Sequence, residues 1–274
     1  MEGKWSPNFQ PWALPRLPGE SDKDLKARRN RAYFDWQSGS IDEFWRRIGE
    51  PLDLRSLNVL DFGCGHGALS VDAVERGAAS VVAIDVDQER VSFGVSHVRE
   101  NYAPLVDKIT FICDDVSNIT SRYRNAFDVV ICKDTLEHID DINKVLRDIL
   151  VMVKPGGRIV LGTSPLYFSP FGDHGRFVGR SIPWISILPE RVLFPLARFV
   201  LKNNIQSASD VGLNKITPLE IRKLIDSQSL VVERLNYNAG DKPMLKVFDF
   251  FRRWNTVERY FTVSVYAILL KPFT

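Results

Sequence analysis

The chain has 274 residues, 45% of them hydrophobic, enough to fill a sizeable core without a disulfide or a structural metal. Thirty-six basic against thirty-four acidic residues leave a formal net charge of +2, which excludes the overall electrostatic footprint of a nucleic-acid binder and sets DNA aside as a partner. The three cysteines, Cys64, Cys113 and Cys132, are odd in number and never form a CxxC, so they point to a reducing compartment rather than a disulfide framework or a zinc knuckle.

Residues 1–20 hold four prolines and two tryptophans, too broken for a helix or an export signal, and are expected to form an arm that packs on the body. From Lys23 to Ile48 the apolar spacing suggests two amphipathic helices joined at Ser38 and Gly39. Basic clusters at Arg28, Arg29 and Arg31, at Arg46 and Arg47, and at Arg252 and Arg253 read as solvated helix faces. Residues 1–50 are taken as an N-terminal arm with helices and 51–274 as the main domain.

From there the rhythm is strand, helix, strand. "LNVLDFG", "SVVAIDVD", "KITFICDD", "FDVVICKD" and "RIVLGTSP" read as strands, with helices "LSVDAVERGA", "QERVSFGVSHVREN" and "INKVLRDILVMV" between them. Short buried strands alternating with helices imply parallel pairing, hence a doubly wound, Rossmann-like α/β sheet with its ligand crevice at the carboxyl ends of the strands. Residues 164–215 break the rhythm with five prolines and no strand pattern, and are read as a lid. "ITPLEIRKLIDSQS" opens as a capped helix at Thr217, "LVVERLNYN" and "YFTVSVYAILL" complete seven strands, and "MLKVFDFFRRW" has helical spacing. No stretch reaches the length of a membrane span, so a cytoplasmic protein is expected, with peripheral membrane contact left open.

Gly63, Gly65 and Gly67 in "VLDFGCGHG" occupy the first strand-to-helix turn, where a bare backbone lets a ligand approach closely. The same residues with Ala68 satisfy the dinucleotide pattern, so a nicotinamide-dependent oxidoreductase is an alternative. Asp61 speaks against it, since a carboxylate before the loop suits an ammonium better than a diphosphate. Asp85, twenty-two positions after Gly63, is placed for ribose hydroxyls, and Asp114 with Asp115 for an adenine amine.

These segments, with "FDVVICKDTLEHI" and "VMVKPGGRIVLGTSP", resemble the class I S-adenosylmethionine-dependent methyltransferases in order and spacing. The resemblance implies that Asp61, Gly63, Cys64, Gly65 and Gly67 frame the methionine part of S-adenosyl-L-methionine, Asp85 and Val86 the ribose, and Asp114, Asp115 and Val116 the adenine. Lys133 and Asp134 are implied to lie beside the methyl donor. The cysteines are read as packing residues.

Methyl transfer from a sulfonium is an in-line displacement, so positioning carries most of it, and a hydroxyl acceptor also needs a base. His138 in "DTLEHI" and His174 in "SPFGDHGRF" are the candidates; His66 lies in the glycine loop, and His97 is expected on the solvent face of its helix. Asp134, Glu137 and His138 form D-x-x-E-H, which on one helix face, with Asp173 and His174, would suit a divalent ion. Because many metal-free relatives carry "LEH", the site is read without a metal. The apolar lid suggests a small or lipid-like acceptor met by Tyr167, Phe171, Phe177 and Trp184, with Arg176, Arg180 and Arg191 for an acidic group on it. Tyr33 or Trp36 is placed to close over the cofactor. Oxygen is the first choice of methylated atom, then nitrogen or carbon. A non-catalytic binding protein of the same fold is the reading from another class, and RNA 2'-O-methylation is the third choice.

Overall fold

The computed structural model describes residues 11, 14–179, 182–202 and 204–273. The arm expected over residues 1–20 falls largely outside them. From Leu14 onward the chain is tied to α1 (Asp22–Ile48): Arg29 donates to the Leu14 carbonyl at 2.7 Å, and Arg28 holds the Glu20 carboxylate and the Pro15 carbonyl. These arginines are anchors, where the charge run alone suggested a solvated face.

The remaining elements, in chain order, are β1 (Asn58–Phe62), α2 (Ala68–Glu75), β2 (Ser80–Asp85), α3 (Gln88–Asn101), β3 (Ile109–Cys113), α4 (Val116–Ile119), β4 (Phe127–Lys133), α5 (Ile142–Met152), β5 (Val153–Thr163), α6 (Glu190–Leu201), α7 (Pro218–Ser227), β6 (Val231–Tyr237), α8 (Pro243–Phe251), α9 (Glu258–Phe261) and β7 (Val265–Leu270). The seven strands have the order β3-β2-β1-β4-β5-β7-β6, and β7 runs antiparallel to both of its neighbours, so that β6 runs in the direction of β5, in the α/β sheet that the alternating pattern predicts. By compactness the chain divides into two units, residues 1–46 with 50–119 and residues 47–49 with 120–274.

In the first unit β1, β2 and β3 pair in parallel, with Asp61 beside Ala83 and Asp85 beside Cys113. Val59, Leu60, Val81, Ala83 and Ile84 are buried, as parallel strands covered on both faces must be. The helix expected to break at Ser38 and Gly39 runs straight through them. Ser38 and Ser40 donate back to the carbonyls of Phe34 and Gln37, and the buried row of Phe34, Ile41, Phe44 and Trp45 continues across the glycine. That packing outweighs the roughly 1 kcal/mol a helical glycine costs.

In the second unit β4 and β5 are parallel, and β7 runs antiparallel between β5 and β6. α7 begins on a capping box in which Thr217 and Glu220 satisfy each other's backbone N–H groups. Residues 164–215 are not a structureless loop. They contain α6 and a core of their own, in which Tyr167, Phe177, Ile185, Leu193, Phe194 and Ala197 pack together.

Candidate functional site

The first unit builds a cradle at the carboxyl ends of its strands. β1 delivers Asp61, which is 2% exposed and accepts the Ser70 hydroxyl at 2.6 Å. The chain then turns sharply: the N–H groups of Gly63 and Cys64 both donate to the Ile84 carbonyl, at 2.9 and 3.0 Å, folding the loop back onto the end of β2. Gly63, Gly65 and Gly67 take φ of 73°, 53° and 85°, left-handed values that favour glycine. Asp85 anchors the turn, accepting the Gly65 N–H on Oδ2 at 2.8 Å and the Asp87 N–H on Oδ1 at 2.9 Å. Each of its oxygens keeps a second acceptor position for a hydroxyl.

Two of the glycines do different work. A side chain at Gly67 would meet the Phe111 ring at 2.7 Å, so this position serves packing. At Gly65 the nearest group a Cβ would meet is the Gln37 amide, at 3.8 Å, which leaves an open space. Gln37 Oε1 and His66 Nδ1, both buried, have no hydrogen-bond partner among the described residues. α1 lies over this loop: Asn30 Oδ1 is 3.2 Å from His66 Nε2, and the Tyr33 ring centres 4.8 Å from the imidazole. Tyr33, with the Trp36 ring tilted against it at 5.5 Å, thus covers the loop. Burial, then Arg90, lowers the His66 pKa to about 4, so its imidazole is neutral.

At the next strand end Asp114 accepts the Asp115 N–H and the Asn118 amide on Oδ1, at 2.7 and 2.6 Å. Asp115 turns its Oδ1 to the Ser117 N–H and hydroxyl at the start of α4, and Val116 is buried beneath it, so Asp114 is the acid left for a ligand. Val86, 72% exposed beside Asp85, offers an apolar surface. Buried and half-buried carboxylates, a bare backbone and an apolar ledge suit a ligand carrying a cation, hydroxyls and a flat ring.

Cys64 and Cys132 are buried. Burial, reinforced by the Asp61 and Asp85 carboxylates, raises the Cys64 thiol well above its ordinary value, which keeps it protonated and fits packing rather than nucleophilic attack. His97, expected at the solvent face, is 4% exposed. It packs edge-on to Phe34 at 4.3 Å, lies against Phe93 and meets Arg31 at 2.9 Å; burial lowers its pKa.

The second unit carries the remaining candidates on and around the turn after β4. Lys133 pairs with Asp134 at 2.7 Å, and the Asp134 N–H donates to the Gly162 carbonyl. Asp134 sits at φ 50° and only a single 3-10 turn follows, over Leu136–His138. The helix face assumed for Asp134, Glu137 and His138 therefore does not form. Glu137 turns inward, 2% exposed, and accepts the Thr163 hydroxyl at 2.7 Å, while burial and then Asp134 push its pKa up to about 8. No group of three or more metal-ligating side chains forms among the described residues.

His138 is exposed and its Nδ1 lies 2.5 Å from the Gly212 carbonyl. A carbonyl only accepts, so Nδ1 carries the proton and Nε2 is the acceptor nitrogen of the ring. His174, at φ 50°, donates from Nε2 to the Pro165 carbonyl at 3.1 Å, with its ring 5.8 Å from that of His138. Burial, then Arg176 and His138, lowers its pKa to about 4. The structure thus brings together both predicted histidines, with Arg176 and Asp134 close enough to act on His174.

Residues the sequence did not single out hold this cluster. Asn214 donates its N–H to the Glu137 carbonyl and its amide to the carbonyls of Leu136 and Ile139, at 2.8, 2.6 and 2.8 Å. Arg176, expected to meet an acidic acceptor, donates to the carbonyls of Val211 and Gly212 instead. Tyr167 and Phe177 belong to the core of the 164–215 segment and Trp184 packs on Phe248 and Phe261, so these three support the segment rather than face an acceptor. Phe171 is half-buried, Arg191 is exposed on α6, and Arg180 lies outside the described residues.

Residues 59–157 match the family model described as a methyltransferase domain. A curated relative, a ubiquinone biosynthesis O-methyltransferase of Proteus mirabilis, is 36% identical over 105 residues, covering 38% of this chain and 41% of that protein. Another of that name, from Xanthomonas oryzae pv. oryzae, is 31% identical over 139 residues, covering 50% of this chain and 56% of that protein. The chain thus spans about half the length of these relatives. Among solved structures, a geranyl diphosphate C-methyltransferase of Streptomyces coelicolor, in complex with Mg2+, geranyl diphosphate and S-adenosyl-L-homocysteine, superposes with a TM-score of 0.55 at 15% identity, covering 94% of this chain and 86% of that one.

Proposed function

We propose, from the class I methyltransferase domain that this chain carries, that it transfers a methyl group from S-adenosylmethionine to an oxygen of a small or lipid-like acceptor. The observation that carries the reading is the Asp85 carboxylate at the end of β2, bonded to the Gly65 N–H and still able to accept hydroxyls. Asp61 and the backbone of Gly63, Cys64, Gly65 and Gly67 would hold the amino-acid end of the cofactor. Asp85 would hold the ribose, and Asp114, Val86 and Val116 the base. When bound, S-adenosylmethionine supplies an electrophilic methyl group on a sulfonium.

The acceptor chemistry falls to the second unit. His138 takes the hydroxyl proton at Nε2, because its Nδ1–H is committed to the Gly212 carbonyl. Asp134, held by Lys133, and Asn214 are positioning groups for the turn that carries His138. Glu137, kept protonated by burial, adds no second charge there. Oxygen as the methylated atom rests on the names of the curated relatives, and an exposed imidazole on the turn after β4 suits that choice.

Calorimetric titration with S-adenosylhomocysteine tests the first half and a screen of hydroxylated aromatic and isoprenoid acceptors the second. One equivalent bound per chain, with methylated product from one acceptor class, is expected. A folded protein that binds no S-adenosylhomocysteine overturns the reading. Binding without product from any acceptor favours a cofactor-binding protein that does not turn over.

A further inference from the structure

α6 divides into three rows. Leu193, Phe194 and Ala197 are buried in the core of the 164–215 segment. Val192, Leu196, Phe199 and Val200, at i, i+4, i+7 and i+8, form a second apolar row that faces solvent, exposed by 48%, 38%, 83% and 43%. Arg191 and Arg198, at i and i+7 with Pro195 between them, form a third row, and the exposed Lys202 caps the end of the helix beyond it. The only acid of the helix, Glu190, is paired with Lys215.

The apolar row continues into the turn before the helix, where Ile187 and Leu188 are also exposed. A second such surface lies on α8 and just beyond it, where Met244, Val247, Phe250, Phe251 and Trp254 are exposed and the last three form a cluster of rings. Lys242 and Lys246 are exposed around it, while Arg253 is paired with Asp249 of α8. No helix among the described residues is long and apolar enough to cross a membrane. A short helix with a solvent-facing apolar row and cations on the adjoining row is built to lie in an interface instead. Large exposed apolar patches on a folded chain mark a surface that is covered in use.

We propose that the exposed face of α6, with the aromatic cluster of α8, docks on an anionic lipid bilayer. The charge decides the occupant: the cations beside the apolar row have no matching acids on the helix to offer a second copy of the same face, whereas a leaflet of anionic headgroups complements them. Docking is a property of the surface and does not depend on methyl transfer.

Flotation of the full chain with phosphatidylcholine vesicles, with and without a third of phosphatidylglycerol, tests it. Wild type should float with the anionic vesicles and be released by salt. The double change Val192→Ser with Phe199→Ser, at exposed positions that leave the core intact, should lower partitioning on anionic vesicles about tenfold or more. Arg191→Gln with Lys202→Gln should weaken binding to anionic vesicles several-fold while leaving the weak binding to neutral ones unchanged. Thermal melting confirms that each variant is folded. Wild type that stays off anionic vesicles, or a Val192→Ser with Phe199→Ser protein that floats as well as wild type, overturns the proposal. So does a wild-type dimer that the same change dissolves, which would give the face to a second copy.

Discussion

The Gly65 amide donates to Asp85 Oδ2 at 2.8 Å, so the glycine loop and the acid at the end of the next strand are one structural unit. The same carboxylate takes the Asp87 N–H at the entry to α3, so Asp85 braces the turn, and the proposed function adds the role of accepting ligand hydroxyls. Asp85→Asn replaces an acceptor-only charged group with an amide. It should weaken S-adenosylhomocysteine binding by roughly 10- to 100-fold, the range for hydrogen bonds to a charged acceptor, while thermal melting still shows a folded chain. Unchanged calorimetric affinity would remove Asp85 from the binding set.

The glycines should separate stability from binding. Gly67→Ala places a Cβ 2.7 Å from the Phe111 ring at a φ of 85°, and should cost about 1–3 kcal/mol of stability. Gly65→Ala, at φ 53° with nothing nearer than 3.8 Å, should disturb packing less but fill the space that the proposed function gives to the ligand. Denaturant melts read against S-adenosylhomocysteine titrations should rank the two in opposite orders. The same ranking in both measurements would make Gly65 only a turn residue.

The strands, the glycine loop and the acids at the strand ends were legible because each rests on a local rule: alternating apolar runs, a backbone that must be bare, and a carboxylate that ends a buried strand. What was hidden depends on tertiary packing. Gly39 reads as a break but sits in a helix held by Phe34 and Trp45 on its buried face. His97 reads as a surface residue, yet Phe34, Phe93 and Tyr102 close around it. D-x-x-E-H has helical spacing, but the left-handed Asp134 turns the chain before a helix can begin. Asn214 and Gln37 carry no motif at all, and only the fold brings them to the turn after β4 and to the glycine loop.

The two histidines should prove unequal. His174 has a pKa lowered to about 4 by burial, so it is a poor proton acceptor at neutral pH, and its Nε2–H is spent on the Pro165 carbonyl. His138 is exposed with Nε2 as its acceptor nitrogen. His138→Gln should lower kcat by about 10²–10⁴-fold without weakening S-adenosylhomocysteine binding, the range for a lost general base. His174→Gln should lower it far less. Equal losses in the two variants would mean that the pair acts only by shaping the turn.

Glu137 should reveal itself through pH. Its folded pKa, about 8, lies above the ordinary carboxylate value of 4.5, because the buried site disfavours the charge and Asp134 opposes it. The folded state therefore binds more protons than the unfolded state between these values. The stability that Glu137 contributes is fully present below about pH 4.5 and is lost as pH rises to about 8, after which it falls no further. Glu137→Gln keeps an acceptor for the Thr163 hydroxyl and cannot ionise. The variant should gain on wild type as pH rises, by an amount on the order of a few kcal/mol between pH 5 and 8.5. Because His174 and Asp173 titrate alike in both proteins, the difference between the two melting curves isolates Glu137. A difference in Tm that stays constant from pH 5 to 8.5 would show that Glu137 is ionised in the folded chain.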